Sequence, residues 1–214
     1  MRKTARPRRR SYHHGDLPSA LIAEARRILE RTGPESISFR AIARGAGVSQ
    51  TAPYNHFASK DHLLATLAMT GFRELETMQK AAAKTTHERS ESVDKLGGAY
   101  VRFACRNPQL YRLMFGVGMP GWRKHAKVLE AMKEAFDPLR TALETYFVSK
   151  PSAAAIPVAA VTAWSLVHGL SMLLIDGALE VPREGQQAND ITARVTAWLV
   201  AGLDAGAKSV AVGA

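Results

Sequence analysis

Cysteine is all but missing from this chain: Cys105 is the single one among 214 residues. It has no internal partner for a disulfide and no second thiol with which to build a CxxC metal site, so a reduced, intracellular protein fits best. The thiol itself reads as a buried, inert side chain, with a redox sensor as the alternative. Acid is absent from residues 2–10, which hold six basic residues, and Asp, Glu, Lys and Arg are all absent from Pro151 to Ile175. Strand-type alternation is scarce. Apolar residues recur instead at three- and four-residue spacing, the pattern of an all-α chain.

The net charge of +10 is unevenly placed: residues 1–60 hold 12 Lys or Arg against 4 Asp or Glu, and the remainder 17 against 15. Phosphate attraction is the main sequence-independent term in nucleic-acid binding, so a basic N-terminal part points to DNA or RNA. Residues 1–15 are expected to form a disordered basic arm, since they cannot bury enough apolar surface to fold alone. Such an arm lies along phosphates or enters a minor groove, or serves only as a solubility tail. No apolar stretch follows Arg10, so export is not expected. His13, His14 and Asp16 do not converge as metal ligands at i, i+4 spacing would, and no metal is expected. Asp16 instead suits the N-cap of a helix over Leu17–Arg31 whose apolar face is Leu21, Ala25, Ile28 and Leu29.

Ser38 to Asp61 has a helix-turn-helix outline. Two helical patterns, Phe39–Gly45 and Gln50–Phe57, flank Ala46-Gly47-Val48, where the glycine supplies the positive φ of a tight turn. Ser38, Ser49 and Ser59 are each placed to cap the helix that follows. Gln50, Thr51, Tyr54 and Asn55 share an outward polar strip suited to a major groove, and Val48 and Phe57 face inward. Helix amides beginning at Lys60, with its ammonium, suit a phosphate.

The residues Ser38, Ile42, Ala43, Ala46, Gly47, Val48, Ser49, Tyr54, His56, Phe57, Lys60 and Leu63 meet a pattern that resembles the TetR family of transcriptional regulators. Thr51 stands where that family often has glycine, and Pro53 where it often has leucine. Asn107 to Phe115 and the Trp164-x-x-x-His168-Gly169 pattern resemble the branch of the family named for its Trp-His-Gly sequence. The resemblance implies that Arg40, Gln50, Thr51, Ala52 and Asn55 are base-edge readers or their close neighbours, and that Ser38, Tyr54, His56 and Lys60 contact phosphates. Independently, Arg pairs with guanine and Gln with adenine, each worth about 1–3 kcal/mol of discrimination. Two other roles stay open: His56 as a helix-end cation, and Tyr54 as a half-buried core residue.

Beyond Leu63 the chain reads as a larger helical domain, residues 63–214, for ligand binding and dimerisation, after a DNA-binding domain over 16–62. A connecting helix starts at Leu63, a break falls near Thr85-Thr86-His87, and Asn107 is placed to cap a short helix opened by Pro108. One apolar phase runs from Trp122 to Phe147 past Pro138, as a kinked helix. Tyr100, Phe103, Met114, Phe115, Trp122, Met132, Phe136, Tyr146, Trp164, His168 and Met172 are candidates to line a small-molecule pocket, though an ordinary core has the same composition. A last helix over Asp190–Ala207 puts Ile191, Val195, Trp198, Leu199 and Leu203 on one stripe, for a four-helix dimer interface or for packing within the chain.

These expectations describe a cytoplasmic, nucleoid-associated homodimeric repressor that needs no cofactor, binds a palindromic double-stranded DNA operator and is released by a small-molecule effector. Two rival classes compete with this reading. The uncharged Pro151–Ile175 stretch is long enough to span a membrane. Pro157, Thr162, Ser165, His168, Gly169 and Ser171 interrupt it, and burial on all sides explains it equally. An enzyme needs a converging acid, base, nucleophile or metal set, and the sequence offers none.

Overall fold

The computed structural model describes residues 17–85, 89–116, 125–148 and 156–212. Among them are eight α-helices and no strand: α1 (Leu17–Thr32), α2 (Phe39–Ala46), α3 (Lys60–Ala83), α4 (Arg89–Arg106), α5 (Pro108–Phe115), α6 (Ala126–Phe147), α7 (Ile156–Ile175) and α8 (Gln186–Val212). Two 3₁₀ turns, Pro34–Ser36 and Ala52–Asn55, complete the order. The basic arm, Asp16 and Trp122 lie outside the described residues.

Helix α1 buries the four residues its spacing selects, Leu21, Ala25, Ile28 and Leu29. Ser38 caps α2, its hydroxyl accepting from Ala41 N at 3.2 Å. The helix stops where Gly47 turns left-handed at φ +70°, its N–H and that of Val48 folding back onto the last-turn carbonyls. Ser59 caps α3 by accepting from His62 N at 3.1 Å. Both caps are as the spacing predicts.

Ser49 does not cap a third α-helix. The expected Gln50–Phe57 helix is replaced by the 3₁₀ turn Ala52–Asn55 with no side-chain cap. Pro53 is the cause. An α-helix would need its N–H to reach Ser49 O, and proline has none. Ala52 N takes that carbonyl instead at 3.1 Å, one residue tighter. The ring of Pro53 is buried under the turn while its neighbours stay outside.

Helix α3 ties the chain together. Its buried face runs through Leu64, Leu67, Ala68, Gly71, Phe72, Leu75 and Gln79, packed on α4, α5 and α6. Fully burying a Leu or Phe is worth about 1.5–3 kcal/mol, so this face anchors the fold. Gly71 allows α5 to approach closely, since a Cβ there would sit 2.5 Å from Met114 Sδ. One buried cluster is continuous from α1 to α7 across the expected 62/63 boundary, and a second joins the far ends of α4, α6, α7 and α8.

Asn107 does not cap α5 with its side chain. Its amide donates to Phe103 O at 2.9 Å and its oxygen accepts from Arg26 at 2.7 Å. The first-turn amides of α5 are satisfied from α1: the Glu30 carboxylate accepts from Gln109 N at 3.3 Å and Leu110 N at 3.0 Å. Arg26, beside it on α1, pairs with Glu74 on α3. These contacts join the N-terminal helices to the larger domain.

Removing the Glu30 carboxylate orphans two helix-end donors. Glu30→Ala is expected to lower stability by about 1–2 kcal/mol in urea denaturation, with Glu30→Gln recovering part of it. A loss within error of zero would show that the cap carries no weight.

Candidate nucleic-acid interface and effector cavity

The outer side of the N-terminal unit gathers Arg40 from α2, Gln50, Thr51 and Asn55 from the turn, and His56 and Lys60 beyond it, all exposed. Ala52 is half-buried. In a 3₁₀ turn residues three apart eclipse each other, so Thr51 stands over Tyr54 and Ala52 over Asn55. Tyr54 is 66% exposed and rests edge-on against Phe39, ring centroids 4.8 Å apart. It is no core residue: the ring is braced and its hydroxyl is free to reach a phosphate. Lys60 opens α3 and extends toward Glu35 O at 3.5 Å, too long to hold it. Ser38 is exposed, and its hydroxyl accepts from Ala41 N in the α2 cap while its own O–H remains a donor.

A second site lies in the larger domain. A cavity of about 630 Å³ opens between α6 and α7, walled by Met132, Phe136, Leu139, Ile156, Ala160, Val161 and Trp164, with Lys133, Asp137 and Arg140 at its edge. Arg140 is committed to Asp137 and Glu144. Behind it an aromatic group closes the interior. Trp164 meets Phe136 at 4.9 Å and His168 at 5.7 Å, and Phe115 meets His168 at 5.0 Å. Tyr111 Oη lies 2.6 Å from His168 Nδ1 and 3.0 Å from Tyr100 Oη, which accepts from Trp164 Nε1 at 3.1 Å.

Burial sets the charge of this group. The Tyr100 hydroxyl is pushed up to about 12 by desolvation, and that of Tyr111 is raised further by the same cause. His168 is lowered by burial. With Nδ1 as a bare acceptor, both hydroxyl protons and the indole N–H find acceptors.

Of the expected pocket residues, Tyr100, Phe115, Met132, Phe136, Trp164 and His168 converge on this region. Phe103 and Met114 are fully buried in the first core cluster, Met114 lying against Gly71 of α3. Tyr146 is buried in the second, its hydroxyl donating to Val200 O at 3.4 Å. Met172 packs half-buried against the first. Cys105 is buried and its thiol is pushed up to about 11 by desolvation, the state of an inert side chain. Sequence reasoning missed Tyr111 and Gln79. Gln79 was legible, as a polar residue four places after Leu75 in the buried phase of α3.

On α8, Leu199 and Leu203 are 5% and 7% exposed, buried against the chain's own α4, α6 and α7, so they have little surface left for a partner. Ile191 and Val195 are half-buried against the first cluster. Trp198 alone of the five stands out, 80% exposed. Beside it, α7 exposes Val158, Val161, Leu166 and Leu173.

The family model described as bacterial regulatory proteins, tetR family, matches residues 21–67, and the model described as tetracyclin repressor-like, C-terminal domain, matches residues 93–199. The chain belongs to the TetR family. Its fold is that of transcriptional regulators rather than of enzymes. The HTH-type transcriptional regulators Rv1816 of Mycobacterium tuberculosis and Mb1846 of Mycobacterium bovis are each 29% identical to it over 124 residues, 57% of this chain and 53% of theirs. The chain thus spans about half the length of these curated relatives. A solved protein of unknown function from Rhodococcus sp. RHA1 superposes with a TM-score of 0.78 at 29% identity, over 91% of this chain and 98% of that one. FadR from Bacillus subtilis, solved in complex with stearoyl-CoA, shares the fold at a TM-score of 0.70 and 16% identity, over 86% and 98%.

Two measurements check the TetR-type site residues. Lys60→Ala is expected to weaken binding to all DNA sequences alike and to reduce the salt slope by about 1, whereas Gln50→Ala relaxes preference at one base position. Equal loss on every sequence for Gln50→Ala would remove it from the reading strip. For His168, a pKa lower in the folded than in the unfolded chain adds stability that is fully present above its ordinary value of 6.5 and lost as pH falls below it. The thermal midpoint of the wild type is therefore expected to drop relative to His168→Asn between pH 7 and pH 5. A difference constant across that range would refute it.

Proposed function

We propose that the chain is a one-component transcriptional repressor. A homodimer binds a palindromic DNA operator through residues 16–62 of each copy, with residues 1–15 as a phosphate-tracking arm. A small-molecule effector held by residues 63–214 releases it. The protein acts in the cytoplasm, at the nucleoid, without a cofactor. The observation that carries this reading is the course of α3, which starts at Lys60 near the exposed Tyr54 and His56 and, a turn before its end, sets Gln79 against the aromatic cleft. At 1.5 Å per residue those two points are roughly 28 Å apart on one rigid rod.

A ligand favouring one cavity shape tilts that rod and moves Lys60 and the adjoining turn. Its leverage on DNA is limited to its differential affinity for the two states. Arg40, Gln50, Thr51, Ala52 and Asn55 read base edges; Ser38, Tyr54, His56 and Lys60 hold phosphates, Ser38 through the O–H that the α2 cap leaves free. The Trp-His-Gly branch rests on Trp164, His168 and Gly169 of α7, and two of these three are in the aromatic group beside the cavity.

Helix α7 is also the one described helix long and apolar enough to cross a membrane. We assign its exposed Val158, Leu166 and Leu173, with Trp198 of α8, to a second copy of the chain, the two helices of each forming a four-helix contact. Two recognition turns then lie on one side of the dimer, as a pseudo-palindrome requires.

Selection of genomic DNA fragments by the purified protein tests the reading directly. An inverted repeat bound at two half-sites about one duplex turn apart is expected, with a dimer by light scattering. Leu173→Glu with Trp198→Glu is expected to give monomers and to cost most of the affinity for the repeat. Recovery of no enriched sequence, or of a protein extracted only by detergent, would overturn it.

A further inference from the structure

Among the described residues, the side-chain oxygen of Gln79 is buried without a partner. The residue is 5% exposed, and Oε1 is the one fully buried side-chain oxygen or nitrogen among the described residues with no hydrogen-bond partner. An orphaned buried acceptor costs about 1–3 kcal/mol, and a leucine in this phase of α3 would avoid that cost. Gln79 faces a cleft of about 20 Å³ whose other walls include Leu96, Tyr100, Phe136, Trp164 and Val167. Phe136, Leu139 and Trp164 also line the 630 Å³ cavity, so these side chains, with Phe136 and Trp164 edge to face at 4.9 Å, are the partition between the cleft and that cavity.

The cleft has room for one water or one hydroxyl, but a buried water needs two to four polar partners to be held there. Besides Gln79 the polar atom at hand is the Tyr100 hydroxyl, already engaged by Tyr111, His168 and Trp164. A group that brings its own covalent attachment needs only one.

We propose that Gln79 is the specificity-determining anchor of the effector site: it accepts a hydrogen bond from a hydroxyl or N–H at the end of a neutral, largely apolar molecule whose body fills the cavity between α6 and α7 and whose end parts Phe136 from Trp164 to enter the cleft. This rests on the reading of that cavity as the effector site. The chemistry of the walls selects the class. An anionic head inserted first meets a carbonyl oxygen and no cation, because Lys133 and Arg140 stand at the cavity's outer edge. A ligand with no donor leaves Oε1 orphaned. Bound in this way, the ligand grips α3 itself, the helix whose first residue is Lys60.

The test uses three probes on the DNA-free full chain by calorimetry at pH 7.5: 4-hexylphenol, its methyl ether 4-hexylanisole, and 4-hexylbenzoate. The wild type is expected to bind the phenol at least tenfold more tightly than the ether, and more tightly than the benzoate. Gln79→Leu and the nearly isosteric Gln79→Met are expected to bind phenol and ether within about twofold of each other, and each to have a higher thermal midpoint than the wild type without ligand. Equal binding of phenol and ether by the wild type, a phenol preference that survives in both variants, or no binding of any probe up to its solubility overturns the anchor. So does tighter binding of the benzoate, which moves the anchor to the basic edge. A lowered midpoint in both variants does the same, since the carboxamide would then be satisfied in the free protein. Release of a selected operator fragment is read separately: a wild type that shows the phenol preference but binds no DNA fragment refutes the repressor reading and leaves the ligand site standing.

Discussion

The structure depends on the burial of one face of α3. Leu64, Leu67, Ala68, Gly71, Phe72 and Leu75 turn a 24-residue helix into the shared wall of both halves of the chain. Isolated helices are marginal in water, and tertiary packing of one face supplies most of their stability. That packing is why α3 stays a single rod instead of breaking between the N-terminal unit and the larger domain. Glu30 and Arg26 of α1 then reach the start of α5 and the side of α3, so the N-terminal helices are seated by polar contacts as well as by core. A motion of α3 or α5 cannot occur without disturbing them.

Inside that wall the polar groups divide sharply. Tyr100, Tyr111, Trp164 and His168 satisfy one another, and low dielectric keeps the tyrosines protonated and the imidazole neutral. Such a network specifies one arrangement of α4, α5 and α7. Gln79, in the next turns of α3, is left with an acceptor unmatched. Ser171, Thr192 and Thr196, the other buried polar residues described, are satisfied as well, so the open acceptor of Gln79 marks a place for chemistry brought from outside.

Pro53 is the second constraint. It removes the N–H that would close an α-helical turn on Ser49 O, so the stretch meant for the major groove is a tight turn braced from below by its own buried ring. Gln50, Thr51, Tyr54 and Asn55 stay exposed on this turn, and their spacing follows 3₁₀ geometry. Helix α7 shows the opposite economy: without a single charge, it is buried on one side by its own chain and leaves four apolar side chains outward.

Local chemistry alone determined much of this. The all-helical class, the four buried residues of α1, the Ser38 and Ser59 caps, the Gly47 turn and the outward strip follow from spacing and from what each side chain can do to the backbone next to it, because those causes act within a turn or two. The family was legible for the same reason, its pattern being a run of local requirements. Only the tertiary structure decided the rest. Glu30 and Gln109 are far apart in the chain, so a cap shared between them has no local signature. Phe103, Met114 and Tyr146 look like pocket residues until packing closes the core around them. Leu199 and Leu203 share a stripe with Trp198, yet they are spent within the chain while Trp198 is not. Whether an apolar side chain meets its own fold, a ligand or a partner depends on which surfaces are left over after packing, and spacing along one helix does not contain that information.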